Sequence, residues 1–160
     1  MNIRIKLLVM DVDGTLTDGK IYMGKSGELM KAFNIRDGYG IRDLLHANCI
    51  TPVIITGRKS EIVTNRAKEL GITEVHQGVE NKLTTLNEIL ERRRETQQHV
   101  AYIGDDLNDM ICMKTIKEAG GLIACPSDAD KKLREYCDYV CAVNGGDGAV
   151  REFIDYIIKT

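Results

Sequence analysis

The sequence has no tryptophan, only two phenylalanines and only two prolines in 160 residues. With aromatics at 5%, it has few rings on which exposed bases could stack, which argues against a nucleic-acid platform. Neither sign of charge dominates, since 22 Lys and Arg stand against 24 Asp and Glu. A net charge of −2 gives no electrostatic footprint for a phosphate backbone. No apolar run approaches the ~20 residues of a membrane-spanning helix, so no membrane partner is expected. No signal-peptide pattern precedes the first apolar run, and a cytoplasmic location is expected.

Five cysteines (Cys49, Cys112, Cys125, Cys137, Cys141) form an odd set scattered among apolar residues. That is the usage of reduced, buried thiols rather than of a disulfide framework. The spacing of Cys137 and Cys141 lacks the second ligand pair that a structural zinc requires. There is no internal repeat, low-complexity segment or linker, so residues 1–160 read as one domain.

What is present is an alternation of short apolar runs with helical patterns. Ile5–Met10, Pro52–Ile55, Val100–Ile103 and Leu122–Ala124 read as buried strands, each bounded by Gly, Asp or Thr. Leu83, Leu86, Ile89 and Leu90 share one helical face, as do Val150, Phe153, Ile154 and Ile157. Ser60 is placed to cap a helix running to Leu70, which Gly71 would end. Strands alternating with helices predict an α/β fold, a doubly wound and mostly parallel sheet covered on both faces. Lys20–Phe33 departs from the alternation and reads as a β-hairpin about Gly24-Lys25-Ser26-Gly27. Lying directly after an acidic loop, it could stand over a site there as a flap.

In open α/β sheets, ligands bind outside the carboxyl ends of the strands. After Met10 come Asp11-Val12-Asp13-Gly14-Thr15; after Ile55, Thr56-Gly57-Arg58; after Ile103, Gly104-Asp105-Asp106-Leu107-Asn108-Asp109. Lys82 opens a helix between the last two. Each piece has a bland reading, and "GDDLND" could be only a well-capped helix start. Together, an acid pair, a hydroxyl, a cation and a second acid cluster suit phosphoryl transfer.

Asp11 and Asp105 supply hard oxygen ligands for Mg²⁺, and Asp11 can then attack phosphorus to give an aspartyl-phosphate. Thr56 and neighbouring N–H groups can hold phosphoryl oxygens, while Lys82 neutralises charge on the transferred group. Asp13 can protonate the leaving oxygen and later take a proton from water. Its ordinary pKa of about 3.9 would have to rise for that task.

These motifs, in this order, resemble the haloacid dehalogenase superfamily of aspartyl-nucleophile phosphohydrolases. The resemblance implies that the Asp11 and Asp105 carboxylates and the Asp13 carbonyl ligate Mg²⁺, with Asp109 behind them orienting ligands or Lys82. The stretches "DVDGTLTDGKIYMGKSGELMKAFNIRDGYGI", "IITGRK", "AYIGDDLND" and "GGDGAVRE" are similar to a narrower family, the 3-deoxy-D-manno-octulosonate 8-phosphate phosphatases. Its members lack a cap domain, act in lipopolysaccharide precursor synthesis and assemble as homotetramers whose neighbouring subunits help close each site. The spacing agrees, because only 25 residues separate Thr56 from Lys82, too few for a cap domain.

The same likeness implies substrate contacts from Asp13, Asn34, Ile35, Arg36, Asp37, Gly38, Arg42, Arg58, Arg66 and Lys82. Guanidinium groups suit the carboxylate of a phosphorylated sugar acid. One departure is Asp147, between the C-terminal glycines where relatives often carry a basic residue. Two rivals share parts of the pattern: a phosphatase of a nine-carbon sugar acid 9-phosphate, and a phosphorylatable receiver-type signalling domain.

Overall fold

The structure, a computed structural model, describes residues 4–160. In chain order its strands are β1 (Leu7–Met10), β2 (Tyr22–Gly24), β3 (Gly27–Met30), β4 (Thr51–Thr56), β5 (Glu74–Gln77), β6 (Val100–Ile103), β7 (Leu122–Cys125) and β8 (Tyr139–Val140). The first helix, α1 (Ile35–Tyr39), runs through a π-helical turn (Gly40–Leu44) into α2 (Leu45–Ala47). Then follow α3 (Glu61–Glu69), α4 (Lys82–Arg93), α5 (Leu107–Glu118), α6 (Lys131–Tyr136) and α7 (Ala149–Ile157).

Six strands pair in parallel in the order β5-β4-β1-β6-β7-β8. Counted along the parallel strands alone, this is the 3-2-1-4-5-6 order of doubly wound nucleotide-binding sheets. It differs from the 2-1-3-4-5 order of receiver-type folds. The strand order reverses between β1 and β6, so the crevice for a ligand lies at their carboxyl ends, where Asp11 and Asp105 follow.

The apolar runs are buried because both faces of the sheet are covered. Side chains alternate across each strand: Leu8, Met10, Ile54 and Ile103 pack beneath Ile41, Leu45, Phe153 and Ile154. On the other face Leu7, Val9, Ile55 and Tyr102 pack against Leu86 and Ile89 of α4 and against Met113 and Ile116 of α5. β5, with the half-buried sequence EVHQ, carries no apolar run and was invisible to that criterion. The hairpin is present as β2 and β3, paired antiparallel. Three of the five cysteines are buried, Cys49 is exposed, and none is disulfide-bonded.

Helix α7 is held by a distant carboxylate. Its N-cap, Gly148, has a φ of 104° and no side chain to accept from the first turn. Asp37 supplies the acceptor instead, its Oδ1 receiving the Arg151 N–H at 2.8 Å, while its Oδ2 is buried without a hydrogen-bond partner. Burial is the main cause that pushes the Asp37 carboxyl up to about 6, against the opposing pull of the Arg151 amide and charge.

A carboxyl raised in the folded state contributes its full stability below its unfolded pKa and loses it as pH rises through about 6. Asp37→Asn keeps the acceptor and cannot ionise. Thermal melts should therefore show the Asn variant gaining on the native chain from pH 5 to pH 8, by about 1.4 kcal/mol. A native chain that gains on the variant with rising pH would contradict the assignment.

Candidate active site

The acidic loop after β1 is fixed by its own backbone. The Val12 carbonyl accepts from the amides of Thr15, Leu16 and Thr17, a tight turn that leaves Asp11 and Asp13 on the rim of the crevice. Gly14 is required twice over: its φ is +93°, and a Cβ there would lie 2.0 Å from Asp105 Oδ2. The C-terminal glycines lie against the same loop. Gly145 sits so close to the Gly14 carbonyl that a Cβ would meet it at 1.9 Å, and the Gly146 amide donates to Thr15. "GGDG" is thus a backbone seat for the acidic loop.

Lys82, first residue of α4, has its ammonium 2.9 Å from Asp11 Oδ1 and 2.7 Å from Asp109 Oδ1. All three are buried. Asp109 Oδ1 also accepts from the Tyr102 hydroxyl at 2.7 Å, and its Oδ2 accepts the amides of Asp105 and Asp106. Asp106 caps α5 and forms a capping box with Asp109, so "GDDLND" is both a helix start and part of the site. Thr15 Oγ1 donates to Asp105 Oδ1 at 3.4 Å. Thr56, the last residue of β4, is buried at the carboxyl end of the strand next to β1.

The electrostatics reveal what the cluster is built to hold. Burial, then Asp109, raises the Asp11 carboxyl to about 6 although Lys82 opposes it. Burial, then Asp11 and Asp109, raises Asp105 to about 8. Burial works against the Lys82 charge, but Asp109 and Asp11 outweigh it and its pKa is raised. Carboxylate oxygens of Asp11, Asp105 and Asp109 lie within 4.8 Å of one another.

Asp109 already has both oxygens engaged, by Lys82, Tyr102 and two amides. Among the described residues, Asp11 has only Oδ1 engaged, by Lys82, and Asp105 only Oδ1, by a long bond from Thr15, so these two keep hard oxygen donors of the kind Mg²⁺ takes. A divalent cation between them would reverse the penalty that raises both groups. The residues present fit Mg²⁺.

Asp13 has a different set of partners. Its Oδ1 accepts from Lys31, and its Oδ2 lies 3.9 Å from Arg58 Nε. Lys31 also pairs with Glu28 of β3 at 2.8 Å, and Glu28 accepts from the Ser60 hydroxyl. Ser60 stands at the N-cap of α3 as the sequence suggests, yet its hydroxyl makes no capping bond, because it is turned to Glu28. Lys31, Glu28, Ser60 and Tyr102 were not among the expected site residues. Only Tyr102 left a trace in sequence, as the one hydroxyl in an otherwise apolar buried strand.

The expected substrate contacts divide. Arg58 lies at the acidic loop. Asn34 caps α1 by accepting the Arg36 amide, Ile35 is 84% exposed, and Arg36 is exposed. Asp37 is turned into α7, and Gly38 backs onto the Arg66 side chain. Arg42 pairs with its neighbour Asp43, while Arg66 pairs with Glu69 and lies over the Phe33 ring. Within one chain, among the described residues, none of these six side chains is paired with Asp11, Asp13, Lys82 or Asp105.

This arrangement suits a phosphohydrolase, and the chain belongs to the haloacid dehalogenase-like hydrolases, whose family model matches residues 54–154. Within that family it is 47% identical over 154 residues to 3-deoxy-D-manno-octulosonate 8-phosphate phosphatase KdsC of Escherichia coli, an overlap of 96% of this chain and 79% of that protein. The crystal structure of the phosphatase of that name from Yersinia pestis superposes with a TM-score of 0.92 at 45% identity, covering 98% of this chain and 82% of that one. The Moraxella catarrhalis phosphatase, solved with a magnesium ion, a phosphate ion and a KDO molecule, gives 0.89 at 41% identity, over 97% and 86% of the two chains.

A cation site of this kind stabilises the fold by linkage. Mg²⁺ at about a hundred times its dissociation constant should add about 2.7 kcal/mol, seen as a higher melting temperature than in chelator. Asp105→Asn should flatten that rise. Equal melting temperatures with and without Mg²⁺ in the native chain would contradict the site.

Proposed function

We propose that the protein is a Mg²⁺-dependent phosphatase that hydrolyses 3-deoxy-D-manno-octulosonate 8-phosphate to the free sugar acid and phosphate. The observation that carries this reading is the unequal partnering of the two aspartates of the DxD loop. Asp11 faces Lys82 and Asp105, while Asp13 faces Lys31 and Arg58. One is set for phosphorus and the other for protons. The likeness to KdsC phosphatases over nearly the whole chain supports the substrate.

Asp11, Asp105 and the Asp13 carbonyl would hold Mg²⁺, which when bound neutralises the carboxylates and the phosphoryl oxygens. The Asp11 carboxylate attacks phosphorus as the bond to the sugar oxygen breaks, and Asp13 gives that oxygen its proton. Water then attacks the aspartyl-phosphate, Asp13 takes the water's proton, and Asp11 leaves as carboxylate. Lys82 and the Thr56 hydroxyl hold phosphoryl oxygens through both steps, so the protein's contribution is mostly placement and charge. Asp109 keeps Lys82 aimed at Asp11.

A site without a cap needs walls from elsewhere. Arg36, Arg42 and Ile35 project from the surface, and Met23, Leu29, Met30 and Tyr39 are large exposed apolar residues on or near the hairpin and α1. These surfaces support a homotetramer in which Asn34, Ile35, Arg36, Arg42 and Arg66 meet the sugar acid at a neighbour's site, with Asp37 and Gly38 buried behind them. The chain would act in the cytoplasm, as one domain, on a lipopolysaccharide precursor.

Assay across sugar-acid phosphates tests the reading. The eight-carbon acid 8-phosphate should be turned over with kcat/KM at least about tenfold above a nine-carbon acid 9-phosphate, and chelation of Mg²⁺ should silence both. Preference for the nine-carbon acid would reassign the substrate. Asp11→Asn should lower turnover by about a thousandfold or more while the fold is kept. Substantial residual turnover in that variant would remove Asp11 from its role.

A further inference from the structure

Lys31 is the most fully enclosed cation outside the Lys82 cluster, with 2% of its side chain exposed. It follows directly after β3, on the outgoing arm of the hairpin. Its ammonium bridges two carboxylates, Asp13 Oδ1 in the catalytic loop and Glu28 Oε1 in β3. Glu28 in turn receives the Ser60 hydroxyl at the start of α3 and stands 3.8 Å from Arg58. A continuous chain of charged and polar contacts therefore links the hairpin, the DxD loop and the segment after Thr56.

The ordering is specific. A solvated lysine on a hairpin costs nothing to leave free, whereas enclosing one demands partners for its charge. Burial alone would lower the Lys31 pKa, yet its hydrogen bonds to Asp13 and Glu28 more than reverse that. With Oδ1 held by Lys31, Asp13 keeps one oxygen, Oδ2, that makes no hydrogen bond among the described residues and has only the long ion pair with Arg58. That oxygen is the one left to exchange a proton with the leaving group.

We infer that Lys31 is a positioning residue for Asp13: it fixes the carboxylate's rotamer and, through Glu28 and Ser60, ties the hairpin down over the proton-transfer side of the site. The inference rests on the reading of Asp13 as acid and base. It makes the hairpin part of the catalytic apparatus rather than only a wall, and it acts on proton transfer to the leaving oxygen rather than on binding phosphate.

Leaving-group dependence separates this role from a structural one. A nitrophenolate departs without protonation, whereas an unactivated phenolate of nearly the same size needs an acid. In Lys31→Met, kcat/KM for phenyl phosphate should fall by about 30- to 100-fold, while that for 4-nitrophenyl phosphate falls by no more than about threefold. Lys31→Arg, which can still span both carboxylates, should restore most of the loss. In an Asp13→Ala background, adding Lys31→Met should change the ratio of the two esters no further.

Equal losses on both esters, or a further change in their ratio in the Asp13→Ala background, would overturn the inference. Should the Met variant not fold, Lys31→Gln faces the same outcomes, with melting curves confirming its fold. The underlying reading is tested separately by Asp13→Ala alone. If that variant shows the split between esters and Lys31→Met does not, only the Lys31 role fails. If Asp13→Ala shows no split, the acid–base reading itself falls and Lys31 has nothing to position.

Discussion

The buried ammonium of Lys82, held between Asp11 and Asp109, is the constraint on which the site depends. An isolated charge at that depth would be prohibitively costly, and so would either carboxylate without it. Tyr102 and two backbone amides complete the hydrogen bonding of Asp109, which makes it an anchor rather than a ligand. Through this one cluster the end of β1, the end of β6 and the starts of α4 and α5 are brought to a common point. The sheet's strand order puts that point at the crevice between β1 and β6, where parallel α/β sheets bind ligands.

Around that anchor the two acids of the DxD loop are partnered differently, and the difference is mechanistic. Asp11 shares its surroundings with the Lys82 ammonium and with Asp105, so a divalent cation there would keep it ionised, as the proposed attack requires. Asp13 is drawn towards the hairpin by Lys31, away from the metal-binding oxygens. The glycines of the C-terminal "GGDG" stretch explain how the loop can be both exposed to substrate and rigid: backbone lies directly on backbone beneath it. With no cap domain, the loop is held by this seating from below and by the Lys31 contact to Asp13 from the hairpin.

Much of this was legible in sequence because the chemistry sits where secondary structure ends. Four apolar runs mark the inner strands, and the acids that follow two of them, Asp11 and Asp105, lie together in one cluster. Asp109 and Lys82 also met as the motifs suggested. β5 was not legible: EVHQ at the sheet's edge is half-buried and polar, so it has no apolar signature. Ser60 occupied its expected cap position, but its hydroxyl went to Glu28, a partner 32 residues away that no local rule can supply. Lys31 carries no sequence signal for the same reason, since a lysine after a hairpin looks solvated until the tertiary fold encloses it. The groups expected around the sugar acid, Asn34 to Gly38 with Arg42 and Arg66, lie off the acidic cluster within one chain. Asp37 among them caps α7, a role that only the packing of α1 on α7 reveals.

The proposed function turns on a covalent bond between Asp11 and phosphorus. Enzyme mixed with the sugar acid phosphate and Mg²⁺, quenched within the first turnover and reduced with borohydride, should yield homoserine at position 11 on peptide mass spectrometry. Reduced product at another carboxylate, or none despite full turnover, would contradict the account.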